Sequence, residues 1–159
     1  MNNTIPETES LLTKLVEFVK EQISNVHIIV CPAFVCLPIA KQIIGDSQIG
    51  IGAQNCHTDL KGAYTGEVSM SMLQSVGCQY VIVGHSERRT IFGETNEIVN
   101  QKVKRTIEAN ITPILCIGET LQERKDNKTF AVLENQINNS LSDINNSDIA
   151  KIIIAYEPV

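Results

Sequence analysis

The sequence predicts an α/β fold built on parallel strands, and three features of it do so. Short apolar runs rich in β-branched residues recur along the 159-residue chain, helical patterns separate them, and ionisable or amide residues stand at the C-terminal end of one run after another. A strand followed by a helix and then another strand returns each strand parallel to the last, because a parallel neighbour can only be reached by a crossover.

Taken in order, the chain opens with Thr4 and Glu7 three apart, a capping-box pattern, ahead of an apolar stripe of Leu11, Leu12, Leu15, Val16, Val19 and Ile23. The run "VHIIVC" at 26–31 reads as the first strand, and a weaker helical segment covers 37–45. "IGIGAQ" at 49–54 and "YVIVG" at 80–84 are the next strands, with a second weak helical segment at 69–76 between them. Val99, Val103 and Ile107 mark a further helix, and Asn110 is placed to stop it in the left-handed conformation. "ITPILCI" at 111–117 is a strand, Leu133, Ile137, Leu141 and Ile144 form the last helical stripe, and "IIIAY" at 152–156 is the fifth strand. None of the five alternates cleanly, which is expected of strands buried on both faces. No linker, low-complexity tract or internal repeat interrupts the series, so residues 1–159 read as a single domain.

Composition narrows the function. With 43% hydrophobic residues the chain can bury a core, and a formal charge of −5 without a Lys/Arg run offers no footprint for nucleic acid or an anionic membrane surface. The longest apolar stretch, 26–40, contains two prolines and a histidine, and it is shorter than the ~18 residues a membrane span needs. The polar start "MNNTIPETE" lacks the layout of a signal peptide, so the expected location is the cytoplasm and sequons such as Asn138-Asn139-Ser140 are expected to stay unmodified. Five cysteines without a C-x-x-C pair sit mostly in apolar runs, where a free thiol packs as a small hydrophobe, which suits a reducing compartment.

Pattern alone leaves an open doubly wound sheet and a closed barrel both available; the polar residues favour the barrel. Gln54-Asn55, His85-Ser86-Glu87, Gly118-Glu119 and Glu157 each follow a different strand. A (β/α)8 barrel collects its site from many strand ends in this way, whereas an open sheet concentrates it at one switch point. A doubly wound ligand-binding or redox domain would want a glycine-rich phosphate loop or a close cysteine pair. Gly50-Ile51-Gly52 lacks the third glycine and the helix start, and no such cysteine pair exists.

Six strings then resemble one family. "GAQN" (52–55), "GAYTGEVS" (62–69), "YVIVGHSERR" (80–89), "FGET" (92–95), "TPILCIGET" (112–120) and "AYEPV" (155–159) are similar, in order and spacing, to those of triosephosphate isomerases, and the likeness covers nearly the whole chain. The resemblance implies a TIM (β/α)8 barrel, of which five strands are present. It implies an isomerase interconverting glyceraldehyde 3-phosphate and dihydroxyacetone phosphate in glycolysis and gluconeogenesis, with no metal and no organic cofactor. It also implies a homodimer.

The same resemblance assigns residues. A histidine at a strand end is more often structural than reactive; the surrounding G-H-S-E-R-R string makes His85 a catalytic candidate. Ser86 is expected to begin a short helical turn, so that His85 lies beside partly positive amides that disfavour an imidazolium. A neutral imidazole can donate a hydrogen bond to a carbonyl and stabilise an enediolate, with Glu157 as the base; triosephosphate isomerase is itself the standard worked example of this pairing. Ser86 either holds the glutamate at rest or caps the turn. Glu87 resembles a family acid close to the reacting groups, and Cys116, a packing residue, occupies a family position near the glutamate. Arg88, Arg89 and Glu94 are expected to form a structural ion-pair network behind the site. Tyr64, Thr65, Gly66 and Glu67 lie in a connection of about 14 residues, long for a βα unit, and the resemblance makes it the loop that enters the partner subunit.

The family pattern also extends past both ends. Met1-Asn2 resemble the tail of a first strand that carries a catalytic lysine, and beyond Val159 the family continues with a hinged lid, two more strands and phosphate-binding loops. Residues 1–159 alone are therefore expected to be a fragment without isomerase activity. The alternative is a non-catalytic truncated subunit that only associates through residues 62–69.

Overall fold

The computed structural model describes residues 2–20 and 25–158. Helix α1 runs over Ile5–Lys20. Glu7 reaches back to accept from the Thr4 N–H at 2.8 Å and the Thr4 hydroxyl at 2.7 Å, which is the glutamate half of the expected capping box. Leu12 and Val16 are buried and Leu15 and Val19 pack beside them, but Leu11 faces solvent at 56% exposure, so the buried stripe is narrower than the sequence suggested. Ile23, assigned to this stripe from the sequence, lies outside the described residues.

Strand β1 (Ile28–Val30) leads through a 3-10 turn at Phe34–Cys36 into α2 (Leu37–Ile44). Strand β2 is Ile49–Ala53, α3 is Met70–Ser75 and β3 is Tyr80–Val83. Then come α4 (Ser86–Thr90), α5 (Asn96–Glu108), β4 (Thr112–Ile117), α6 (Leu121–Lys125), α7 (Thr129–Ser140), α8 (Asn146–Ile149) and β5 (Ile153–Tyr156). All four strand pairings are parallel and the spatial order is the chain order, β1-β2-β3-β4-β5. A doubly wound sheet must reverse its order at a switch point. With no reversal, right-handed crossovers place every helix on the same side, and the five parallel strands form a half-barrel.

The core lies between that helical layer and the strands, with Ile51, Val81, Val83, Leu115, Met70, Leu73, Val99 and Val103 all buried. Among the described residues β5 pairs with β4, and its Ile153, Ile154 and Tyr156 are 39%, 46% and 49% exposed.

Helix ends follow local chemistry. Asn110 takes φ +53° just past α5, the left-handed stop its position suggested. Helix α7 is shorter than its apolar stripe: Leu141 caps it and Ile144 lies beyond. The reason is Asn100 on α5, whose Nδ2 donates to the Ser140 and Ser142 carbonyls at 3.0 and 2.9 Å and so satisfies groups a longer helix would have bonded internally. Helix α6, unforeseen, starts with a full capping box between Thr120 and Glu123.

Candidate active site

Strand β3 is followed by Gly84, whose φ of +69° turns the chain sharply; a Cβ there would come within 3.0 Å of Val99 and 2.9 Å of Arg89. Only glycine suits both the angle and the space. The turn sets His85 as N-cap of α4, where its Nδ1 accepts the Glu87 N–H at 3.3 Å. Capping therefore comes from the imidazole, and this corrects one of the two roles left open for Ser86, which instead is the first residue of the helix.

That bond fixes the tautomer. An Nδ1 that accepts carries no proton, so the neutral ring presents Nε2–H. The Glu87 carboxylate lies 3.6 Å from the same Nδ1, beyond hydrogen-bond range and about half exposed, so the backbone donor decides. Nε2 faces Glu157, whose Oε2 is 3.9 Å away across the ends of β3 and β5. The imidazole is largely covered, at 23% exposure, whereas the Glu157 side chain is 74% exposed. A narrow cavity between them is lined by Ser86, Arg89, Cys116 and Gly118. The thiol of Cys116 is pushed up to about 11, first by burial and then by the Glu157 charge.

Behind the site the expected Arg88–Glu94 pair is present, with Lys102 rather than Arg89 as its third member. Glu94 Oε1 accepts from Arg88 Nε and from Lys102 Nζ, and Lys102 also donates to Asn55 Oδ1 at 2.7 Å. Burial pushes the Glu94 carboxyl up, but the hydrogen bonds and charges of Lys102 and Arg88 outweigh it and hold the group below its usual range. Arg89 takes no direct part. Its Nε donates to the Gly84 carbonyl at 2.8 Å and its Nη1 to Asn96 Oδ1 at 2.7 Å, so it braces the turn. Lys102 was missed because a lysine on a helix is ordinarily a solvated residue, although it stands between Val99 and Thr106 on the buried face of α5.

Glu119, following β4, is a second buried carboxylate. It receives the Tyr156 hydroxyl on both oxygens at 3.2 and 3.1 Å, with Arg124 and Thr129 also donating. Burial alone would push it up; its own backbone N–H together with these side-chain hydrogen bonds holds it low.

The long connection between β2 and α3 carries Tyr64, Thr65, Gly66 and Glu67, all exposed, with Gly66 at φ +90°. Its base is folded on itself. The Tyr64 ring lies 4.3 Å from that of His57, and Asp59 and Glu67 flank the two imidazole nitrogens of His57 at 3.5 and 3.6 Å. Next to His85 opens a cleft of about 220 Å³ lined by Cys31, Phe34, Gln54, Asn55, Arg88 and Phe92. Val35, Ile91 and Phe92 are exposed at 73%, 72% and 65%. Among the described residues, no helix is long and apolar enough to cross a membrane.

A half-barrel with its polar residues gathered over the C-terminal strand ends defines an α/β-barrel protein of the kind that builds its site from βα loops. The family model for triosephosphate isomerase matches residues 1–159, and the chain belongs to the triosephosphate isomerase family. The chain is 50% identical over its full length to the triosephosphate isomerase of Endomicrobium trichonymphae, covering 63% of that protein. It is 46% identical to that of Aquifex aeolicus, of which it covers 64%. The crystal structure of triosephosphate isomerase from Bartonella henselae superposes with a TM-score of 0.91 at 40% identity, over the whole of this chain and 65% of that one. The chain thus spans a little under two thirds of the length of these relatives.

Proposed function

We propose that the protein containing this chain is a triosephosphate isomerase that interconverts glyceraldehyde 3-phosphate and dihydroxyacetone phosphate. The observation that carries the reading is the imidazole Nε2–H of His85 facing the Glu157 carboxylate across two strand ends, with the tautomer set from behind by the Glu87 amide.

In this reading the Glu157 carboxylate removes a proton from the carbon beside the substrate carbonyl. The released electron pair moves into the new C–C double bond, and the carbonyl oxygen takes up negative charge. Nε2–H donates to that oxygen, lowering the cost of the enediolate. The proton then returns from Glu157 to the former carbonyl carbon, while the neighbouring hydroxyl gives its proton up and the former carbonyl oxygen takes one on, a transfer bridged by His85 Nε2, so aldose becomes ketose with no net gain or loss of atoms. A neutral imidazole matches the developing oxyanion better than a cation whose N–H at Nδ1 would confront the Glu87 N–H. Glu87, Ser86 and Cys116 support this pair, and no cofactor takes part. The reading also assigns to the parent protein the lysine, lid and phosphate loops that the resemblance implies.

A homodimer is part of the proposal. The Tyr64–Glu67 tip is exposed, and the cleft beside His85, lined by Phe34 and Phe92, is the proposed receptacle for the same loop of a second copy. The cytoplasm is the proposed location, in keeping with five free cysteines.

The test is an isomerase assay of the natural protein containing this sequence, with Glu157→Gln alongside. The reading requires turnover in the parent and a loss of about 10²- to 10⁴-fold in kcat for the variant. An inactive parent rejects it.

A further inference from the structure

The amide of Gln136 on α7 makes an unusual pair of bonds. Its Oε1 accepts from the Gly118 N–H at 2.9 Å and its Nε2 donates to the Gly118 carbonyl at 3.0 Å, so one side chain satisfies both main-chain groups of one residue. This is the pattern a neighbouring strand residue would provide, and it extends the order of β4 one residue past its end at Ile117. Gly118 in turn sits directly on the peptide of Glu157: a Cβ on residue 118 would collide with the Glu157 carbonyl oxygen and lie 2.8 Å from its carbonyl carbon. On the other side the Glu157 N–H donates to the Ile117 carbonyl at 3.0 Å.

We propose that Gln136 is a positioning residue for Glu157, acting through Gly118 to set where the base stands relative to His85; this rests on the isomerase reading above. The Glu157 backbone is set by β4 through these two contacts, and its carboxylate stands 3.9 Å from the imidazole. The contact with Gly118 leaves no slack in one direction, and the two bonds from α7 prevent Gly118 from drifting in the other. Reacting groups displaced by about 1 Å can lose on the order of 10²-fold in rate, so a helix residue that never meets substrate can still govern the chemical step.

The experiment uses the natural protein containing this sequence, with Gln136→Met, which keeps length but lacks the amide, and Gln136→Glu. For Gln136→Met the inference expects kcat to fall about 10- to 100-fold with KM within about twofold of the parent. Gln136→Glu is followed as a pH series against the parent. Its introduced carboxylate can accept from the Gly118 N–H but repels the Gly118 carbonyl, whereas the protonated acid can donate to that carbonyl. The kcat of Gln136→Glu relative to the parent should therefore rise as pH falls from about 8 to about 5. A role confined to stability would lower Tm and leave kcat of the folded protein unchanged in both variants, which overturns the inference. Should Gln136→Met fail to fold, the pH series alone decides, and a flat ratio overturns it. A parent without isomerase activity overturns the underlying reading as well, and an active parent with unaffected variants overturns this inference only.

Discussion

Lys102 Nζ lies 2.7 Å from Asn55 Oδ1, joining the buried face of α5 to the end of β2. The same ammonium holds Glu94, whose side chain is 5% exposed, so a cation, a carboxylate and an amide share one dry space. Removing the lysine would leave the carboxylate with Arg88 alone and the Asn55 amide oxygen without its donor. Lys102→Met should cost about 1–3 kcal/mol, read as a drop in urea midpoint, and adding Glu94→Gln should recover part of that loss. An unchanged midpoint in the single variant would mean that the network contributes nothing.

The pH dependence of stability follows from Glu94. Its folded value is held below the unfolded one, so the native state binds that proton less readily. The stabilisation is complete above the unfolded value of about 4.3 and is lost as pH falls through the lower folded value. The urea midpoint should be flat above about pH 5.5 and decline below about 4.5, and Glu94→Gln should flatten that decline while lowering the plateau. A decline equally steep in the variant would place its origin elsewhere.

The cysteines should be slow nucleophiles. Burial raises the Cys31, Cys78 and Cys116 thiols to about 11 and that of Cys56 to about 12. At pH 8 about one in a thousand of the first three would be thiolate. Alkylation followed by mass spectrometry should find these positions largely unmodified in native protein and all modified after denaturation. Rapid native labelling of Cys116 would contradict this account of its surroundings.

Residues 1–159 in isolation should show no isomerase turnover. Loss of one preorganised electrostatic group typically costs ~3–4 kcal/mol at the transition state, and the chain covers only 63% of its Endomicrobium relative. A steady rate from the isolated chain would show that His85 and Glu157 suffice.

Much of this arrangement was legible in the sequence. The strands were readable because buried parallel strands are continuous apolar runs, and Asn110 because a left-handed stop favours that side chain. The places of Glu157 and His85 at strand ends were readable because each follows such a run inside a family string. What resisted depended on partners remote in sequence. The end of α7 is set by Asn100, about 40 residues away, and the partner of Glu94 is Lys102 rather than Arg89, a choice made by which face of α5 turns inward. The two bonds from Gln136 to Gly118 left no trace in periodicity, because a half-buried glutamine looks like any polar residue on a helix.

The most direct measurement is to incubate the natural protein with dihydroxyacetone phosphate in D₂O and follow the label at carbon by mass spectrometry and NMR. Proton transfer through Glu157 and an enediolate predicts isomerisation with solvent deuterium entering the product at the carbon to which the base delivers its proton, both events falling together in Glu157→Gln. Isomerisation that carries no deuterium into the product, or that survives intact in Glu157→Gln, would contradict it.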